Sequence, residues 1–295
     1  YVAGTDDYES AFVADTFTVS KAPTSVSIPD ADSVYTGLGQ SLTPSVADSS
    51  GNAITVDAID VTYADASGSA VASPVDVGVY TATATINDTR YGGSATGTLT
   101  ILKAPLTITA EDKTKEYLES NPTLTLKYTG FQNSEDSSVL TTQATVGTAA
   151  DESSSLGDYG IVVYGAAAAN YAITHVDGTL TIEKNTIGIT LTDTSQTYTG
   201  SALAVTATPS VADINLVVTY ADAAGAAVAS PTNAGTYTVT ATVDSSLYRG
   251  TQTGTLTINK ATSTVTLSDL SATYNGLERA ATAVTDPAGL NVVLT

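Results

Sequence analysis

The stretch Gly97-Thr98-Leu99-Thr100-Ile101-Leu102-Lys103-Ala104 decides the fold, because the chain repeats it. It returns as Gly178-Thr179-Leu180-Thr181-Ile182-Glu183-Lys184-Asn185 and again as Gly254-Thr255-Leu256-Thr257-Ile258-Asn259-Lys260-Ala261. A divergent copy, Thr16-Phe17-Thr18-Val19-Ser20-Lys21-Ala22, precedes them. The closing lysines recur about every 80 residues, and a fixed period of this size predicts a tandem array of similar domains.

The period divides the 295 residues into three complete repeats and two partial ones. We expect the complete repeats at 23–104, 105–185 and 186–261. Residues 1–22 match the closing part of a repeat, and residues 262–295 match the opening part of another. This pattern favours a section of a longer array. The alternative is that neighbouring copies complete the partial repeats by donating strands.

Within each repeat, apolar residues alternate with threonine and other polar residues. Tyr80-Thr81-Ala82-Thr83-Ala84-Thr85-Ile86 has a period of two, which is typical of a half-buried β-strand, and 237–243 follows the same pattern. No segment sustains a helical period. The sequence therefore predicts an all-β protein, a tandem array of small immunoglobulin-like antiparallel β-sandwich domains. The junctions are short, and Pro23 and Pro105 stiffen two of them, so we expect the array to form a rod.

The composition excludes several classes of function. The chain carries 30 acidic and 10 basic residues, a formal net charge of −20, which disfavours binding to nucleic acid. It contains no cysteine, which excludes thiolate catalysis and thiolate metal sites. No apolar run approaches the ~20 residues of a membrane-spanning helix.

The repeats resemble the MBG domains of large bacterial surface and adhesin-like proteins. The motifs that carry the resemblance in 186–261 are Tyr198-Thr199-Gly200, then 231–242, then Gly254-Thr255-Leu256-Thr257-Ile258. Residues 23–104 are similar, and 105–185 resemble the YGX subtype, although Leu118 stands where that subtype usually has glycine. The resemblance implies stalk or spacer modules.

The carboxylates near the junctions are candidate metal ligands. The calcium candidates are Asp6, Asp7, Asp30 and Asp32, because calcium prefers oxygen ligands and acidic extracellular arrays use it to stiffen junctions. No aspartate-rich calcium loop is present in the sequence, so solvated acidic surface is the favoured interpretation and we predict no cofactor.

Histidine, lysine and tyrosine are the other residue types that could carry chemistry or binding. The single histidine, His175, lacks partners for a triad or a zinc site, and we expect an ordinary strand residue. The closing lysines could form isopeptide bonds, but exposed side chains at the junctions are favoured. Tyrosines recur at equivalent positions of the repeats, which favours packing over a sugar-binding row. The positions are 35, 117, 198 and 274 early in the repeats, 80, 159 and 237 in the middle, and 91, 171 and 248 late.

The sequence therefore predicts a non-catalytic structural segment of a long bacterial extracellular repeat protein, acting as an adhesin stalk, a spacer or a surface filament. Its expected partners are neighbouring repeats or other copies of the same protein. The alternative is an adhesive module that binds glycans or mucin through the recurrent tyrosines. An enzyme is not expected, because the sequence contains no catalytic constellation.

Overall fold

The computed structural model describes residues 13–293, and in this part of the chain almost all regular structure is β-strand. The exception is one turn of 3₁₀-helix at Ser137–Val139. None of the described residues belongs to a helix with the length and apolar character needed to cross a bilayer. The prediction of an all-β protein is confirmed.

The first repeat contains nine strands, whose sheets face each other across a core. The main sheet has the order β3-β9-β7-β5-β6, and β2 and β4 form a separate antiparallel pair. The strands are β1 (Ala22–Pro23), β2 (Ser25–Ser27), β3 (Ala31–Val34), β4 (Ser45–Ala47), β5 (Ala58–Ala64), β6 (Ala70–Val71), β7 (Gly78–Asn87), β8 (Tyr91–Gly92) and β9 (Ser94–Leu102).

Strand β7 shows why this sequence folds as a sheet with one buried face. Tyr80, Ala82, Ala84 and Ile86 are buried, and the threonines between them lie on the opposite face. Side chains alternate across a strand, so the period of two in the sequence becomes one apolar and one polar face. Leu99 on the neighbouring strand β9 is 2% exposed and lies in the same core.

The second repeat follows with seven strands. Strand β10 pairs antiparallel with β12 and parallel with β15, while β13 pairs antiparallel with β14. The strands are β10 (Ala104–Ala110), β11 (Lys113–Glu116), β12 (Leu126–Thr129), β13 (Thr142–Thr148), β14 (Gly157–Ala167), β15 (Tyr171–Val176) and β16 (Gly178–Glu183).

The third repeat has the same plan as the first, and the opening of a fourth follows it. Its main sheet has the order β19-β24-β22-β21, and β18 pairs antiparallel with β20. The strands are β17 (Asn185–Thr186), β18 (Ile189–Thr192), β19 (Ser195–Thr197), β20 (Thr206–Pro209), β21 (Asn215–Ala221), β22 (Gly235–Asp244), β23 (Tyr248–Arg249), β24 (Thr251–Asn259), β25 (Thr264–Ser268) and β26 (Thr282–Asp286). The third repeat's core includes Val205, Tyr237, Val239, Leu256 and Ile258.

By contact density the chain divides into two compact units, and the division runs through the second repeat. Among the described residues, one unit holds 13–113, 123–149 and 159–180, and the other holds 114–122, 150–158 and 181–293. This division does not follow the sequence period, and the repeat bounds 23–104, 105–185 and 186–261 stay a prediction. Each unit contains at least one boundary between consecutive repeats, near residue 104 in the first unit and near residue 185 in the second.

The sheets are antiparallel, as predicted, except where an early strand of a repeat lies beside a late one. Strand β3 pairs parallel with β9 in the first repeat, and β19 pairs parallel with β24 in the third. A parallel pair needs a long connection between its strands, and the intervening strands of the repeat supply it. An early strand and the last strand of these two repeats consequently run side by side in the same direction.

Candidate functional site

The recurring feature outside the cores is the joint where one repeat passes to the next. We name three joints by their closing lysines: the Lys21 joint, the Lys103 joint and the Lys184 joint. In each, the residue after the lysine pairs in parallel with the late tyrosine of the following repeat. The pairs are Ala22 with Tyr91, Ala104 with Tyr171, and Asn185 with Tyr248.

The same backbone hydrogen bond closes all three joints. The N–H of the residue after the lysine donates to the carbonyl just before the late tyrosine, at 2.8 Å in the Lys21 joint and 3.0 Å in the other two. The sequence predicts short junctions, two of which are stiffened by Pro23 and Pro105. The Lys184 joint has no proline there, yet it forms the same pairing, so strand pairing and not proline is the common element.

Two of the closing lysines, Lys103 and Lys184, bind the following repeat through their ammonium groups. Lys103 Nζ donates to the carbonyl of Ala168 at 3.1 Å, and Lys184 Nζ donates to the carbonyl of Ser245 at 2.8 Å. Each carbonyl belongs to the residue three positions before the late tyrosine of the next repeat. The lysines are exposed, as expected, but their charged ends bind the neighbouring repeat, and a hydrogen bond from a charged donor is stronger than a neutral one.

Tyrosines from two repeats meet at two of the joints. The rings of Tyr35 and Tyr171 lie edge to face with centroids 5.5 Å apart and an interplanar angle of 78°. Tyr117 and Tyr248 repeat this arrangement at 6.1 Å and 80°. In both pairs an early tyrosine contacts the late tyrosine of the following repeat, and edge-to-face geometry adds about 0.5–1.5 kcal/mol to the burial of the rings.

In the Lys103 joint, one carboxylate lies between the two tyrosines. Glu135 accepts a hydrogen bond from the Tyr35 hydroxyl at 2.6 Å and a second from the Tyr171 hydroxyl. Burial, followed by the hydrogen bond to Glu135, raises the pKa of Tyr171 to about 12. The hydrogen bond to Glu135, followed by burial, raises the pKa of Tyr35. Both hydroxyls therefore stay protonated and act as donors at neutral pH.

A side-chain amide completes the Lys103 joint. Asn170 donates through Nδ2 to Asp76 Oδ1 at 2.8 Å and accepts through Oδ1 from the Val77 N–H at 3.0 Å. Nearby, Asn133 Nδ2 donates to the carbonyl of Gly37 at 3.1 Å. Three side chains of the second repeat, Glu135, Asn133 and Asn170, thus bind the first repeat at separate points, which fixes the relative orientation of the two repeats at this joint.

The Lys184 joint uses an ion-pair network instead. Arg249 donates from NH2 to Glu116 at 2.9 Å, from NH1 to Glu183 at 3.0 Å, and from Nε to Thr186 Oγ1 at 3.0 Å. Glu116 also accepts from the Thr186 N–H at 3.0 Å and from its hydroxyl at 2.6 Å. Hydrogen bonds from Thr186 and then from Arg249 lower the pKa of Glu116. The hydrogen bonds to Glu183 and Glu116 raise the pKa of Arg249.

Of the four calcium candidates, Asp30 and Asp32 lie among the described residues, and they are not grouped with other possible metal ligands. Asp30 Oδ1 accepts the backbone N–H of Thr98 at 2.6 Å, and in the second repeat Asp112 Oδ1 accepts that of Thr179 at 2.7 Å. Each carboxylate therefore binds the closing strand of its repeat at the residue after the recurring glycine, Gly97 or Gly178. Asp32 lies on β3, while Asp6 and Asp7 lie outside the described residues. Across 13–293, no three carboxylate or histidine side chains are grouped as metal ligands would be.

The remaining candidates occupy ordinary positions. His175 is exposed on β15 and pairs with Ile108 in the ladder. Tyr80 and Tyr237 are buried, and each hydroxyl donates to a backbone carbonyl four residues earlier, at 2.8 and 2.9 Å. Tyr35 is also buried, whereas Tyr198 is 41% exposed and Tyr274 is 91% exposed.

Sequence reasoning missed four side chains, because none of them recurs at its position in the other repeats. Glu135, Asn170 and Arg249 hold the joints. The fourth is Lys115, which is 4% exposed and donates to the carbonyls of two loop residues at 2.8 and 2.6 Å. The signal that could have found Arg249 is its place directly after a late tyrosine, where the other repeats have glycine or alanine.

Comparison with known proteins gives fold-level likeness to tandem immunoglobulin domains. Titin domains I67–I69 are 10% identical, with 82% of this chain and 100% of that chain covered and a TM-score of 0.24. Drosophila OTK extracellular domains 3–5 are 11% identical, with 80% and 100% covered and a TM-score of 0.29. Sidekick-1 immunoglobulin domains 1–4 are 10% identical, with 81% and 76% covered and a TM-score of 0.29. TM-scores this low describe no common arrangement of whole chains.

None of the curated proteins compared with the chain matches it. Family models do match it. The model of the MBG domain of YGX type matches residues 106–181, and the MBG domain model matches 24–105, 188–262 and 263–295. These matches and the repeated joints together identify the chain as a tandem series of domains that belongs to the MBG domain family.

Proposed function

We propose that this chain is a non-catalytic spacer segment of a long bacterial extracellular repeat protein, the stalk of an adhesin or a surface filament. The observation that carries the proposal is the repeated joint. The same strand pairing occurs at three joints, and the lysine contact and the tyrosine pair each occur at two. A chain that only had to link independent domains would gain nothing from ordering its linkers in this way.

The order of the strands supports a mechanical role. In the first repeat β3 and β9 lie side by side and parallel over Ala31–Val34 and Leu99–Leu102, and β19 and β24 do so in the third. Force applied to opposite ends of such a repeat pulls the two neighbouring strands past each other. Their hydrogen bonds must then break together, since shear loads all of them at once, and not one after another as in unzipping.

The charge supports a surface that avoids association with other acidic chains. A net charge of −20 keeps chains apart in solution, with a range set by the ~8 Å screening length at physiological salt. The burial of Tyr35, Tyr80, Tyr171 and Tyr237 supports packing over glycan binding at these four positions, whereas Tyr198 and Tyr274 are exposed.

Small-angle scattering of the intact chain tests the proposal. A compact globule of 295 residues has a radius of gyration of about 19 Å, and a stiff spacer should have a radius of gyration well above this value. Asn170→Ala should broaden the distribution of dimensions by freeing the Lys103 joint. Tyr164→Ala, a substitution of a 53% exposed tyrosine, is the matched control and should leave it unchanged. A radius near 19 Å for the unmodified chain would contradict the spacer role.

A further inference from the structure

The Lys103 and Lys184 joints share a common frame, which consists of the parallel backbone pairing and the pair of tyrosines. They differ in the side chains at equivalent positions around it. One position precedes the early tyrosine, where the first repeat has Val34 and the second has Glu116. Another precedes the closing lysine, where the residues are Leu102 and Glu183. The frame keeps these positions equivalent, because the Tyr35 N–H donates to the carbonyl of Leu102 at 2.8 Å and the Tyr117 N–H donates to that of Glu183 at 2.9 Å.

Arg249 of the third repeat contacts both acidic positions of the second. Its three donors bind Glu116, Glu183 and the hydroxyl of Thr186 within 3.0 Å. The guanidinium is a planar fork of five fixed donors, so it is satisfied only where acceptors stand on several sides of it. Its side chain is 48% exposed and those of Glu116 and Glu183 are 28% and 44% exposed, which places the network at the rim of the joint.

The second repeat alone offers this pair of acids. The residues before the early tyrosines are Val34, Glu116, Thr197 and Thr273, and the residues before the closing lysines are Ser20, Leu102, Glu183 and Asn259. Both acidic residues therefore occur in the YGX-type repeat. The residue after the late tyrosine is Gly92, Ala172 or Arg249, so the matching arginine occurs only in the repeat that follows it.

We propose that Arg249 is a specificity determinant that selects an acidic, YGX-type repeat as the neighbour on its N-terminal side. The common frame lets any two repeats join, and the rim network decides which pair joins tightly. Selection works in both directions. If Arg249 followed a repeat with Val34 and Leu102 at these positions, its guanidinium would lack carboxylate acceptors. If a repeat with Ala172 followed Glu116 and Glu183, the two acids would lack a cation.

The inference deepens the proposed spacer role, because it assigns an order to the repeats of the spacer. It rests on that role only for its biological meaning, and its test is separate. Scattering measures whether the whole chain is extended. The experiment below measures the opening of one joint, so either proposal can fail while the other stands.

Amide hydrogen exchange in the intact chain gives the readout. The Asn185 N–H, which donates to the carbonyl of Leu247 across the Lys184 joint, exchanges when that joint opens. We expect Glu116→Val with Glu183→Leu, which installs the residues of the first repeat, to lower its protection about fivefold, and Arg249→Ala to do the same. The three substitutions together should cost no more than the two acidic substitutions alone, because those already leave Arg249 without its carboxylate partners.

Two controls each remove one charge away from the joint. Glu152→Val and Arg279→Ala alter exposed residues and should leave the protection of Asn185 unchanged. An equal loss in these controls, or additive losses from the acidic and basic substitutions, would overturn the proposal. Protection of the Tyr237 amide in the core of the third repeat reports whether a variant is folded.

The transplant into the Lys103 joint separates specificity from mere structural support. Ala172→Arg alone places an arginine opposite Val34 and Leu102, and we expect no gain in the protection of the Ala104 N–H. Adding Val34→Glu and Leu102→Glu should raise that protection about fivefold above the Ala172→Arg variant. Failure of the acids to improve on the arginine alone would refute Arg249 as a specificity determinant.

Discussion

The hydroxyl of Tyr171 is the most informative atom to remove. Tyr171→Phe deletes it and keeps the ring. The ring packs edge to face against Tyr35 and Phe131, with centroid separations of 5.5 Å and 5.6 Å. The hydroxyl donates to Glu135 and accepts from the N–H of Gln132 at 2.9 Å. The substitution therefore changes hydrogen bonding in the Lys103 joint without opening a large cavity.

The expected loss of stability follows from these two contacts. Each hydrogen bond contributes about 0.5–1.5 kcal/mol net, and a buried N–H left without its acceptor adds to the loss. Glu135 keeps the Tyr35 hydroxyl at 2.6 Å, which limits the penalty on the carboxylate. We expect the free energy of unfolding of the unit that contains the joint to fall by about 2 kcal/mol.

Urea unfolding followed by circular dichroism measures this loss, and Tyr164→Phe is the control. Tyr164 is 53% exposed, so its substitution should change the free energy of unfolding by less than about 0.5 kcal/mol. Tyr171→Phe and Glu135→Gln should be non-additive, since they remove opposite ends of one contact. Equal effects of the two tyrosine substitutions, or strict additivity with Glu135→Gln, would refute the joint as a stabilising element.

Three further predictions concern other features. Lys115→Met should lower the free energy of unfolding by about 1–3 kcal/mol, because a buried ammonium that binds two carbonyls is lost; an unchanged urea midpoint would argue against it. Gly97→Ala places a methyl group 2.7 Å from the carbonyl oxygen of Ile28 and should lower the free energy of unfolding by about 1–3 kcal/mol. Gly160→Ala, whose methyl group would lie 3.9 Å from Val162 Cγ2, should lower it less in the same urea titration. The raised pKa of Tyr171 makes its contribution to stability complete below pH 10 and lost as the pH rises toward 12. The melting temperature should therefore fall more steeply between these pH values in the unmodified chain than in Tyr171→Phe, which keeps the raised pKa of Tyr35 in this joint.

The features common to all repeats were predictable from the sequence. Alternation such as that of Tyr80–Ile86 is local, and it decides which face of a strand is buried wherever the strand lies. The recurring glycine of the closing strand was visible as a motif, but its reason was not. Only the structure shows that a side chain at Gly97 would strike the backbone of Ile28.

The features that differ between repeats were not predictable, and they are the ones that hold the joints. Glu135, Asn170 and Arg249 gain their roles from residues 100, 94 and 133 positions away in the chain, and no local pattern marks such pairs. The strand period, the all-β class and the number of repeats were determined by the sequence itself, because they depend on contacts between near neighbours and on repetition. The tertiary structure alone decided which side chains meet across a joint, because that meeting depends on how two folded surfaces are brought together.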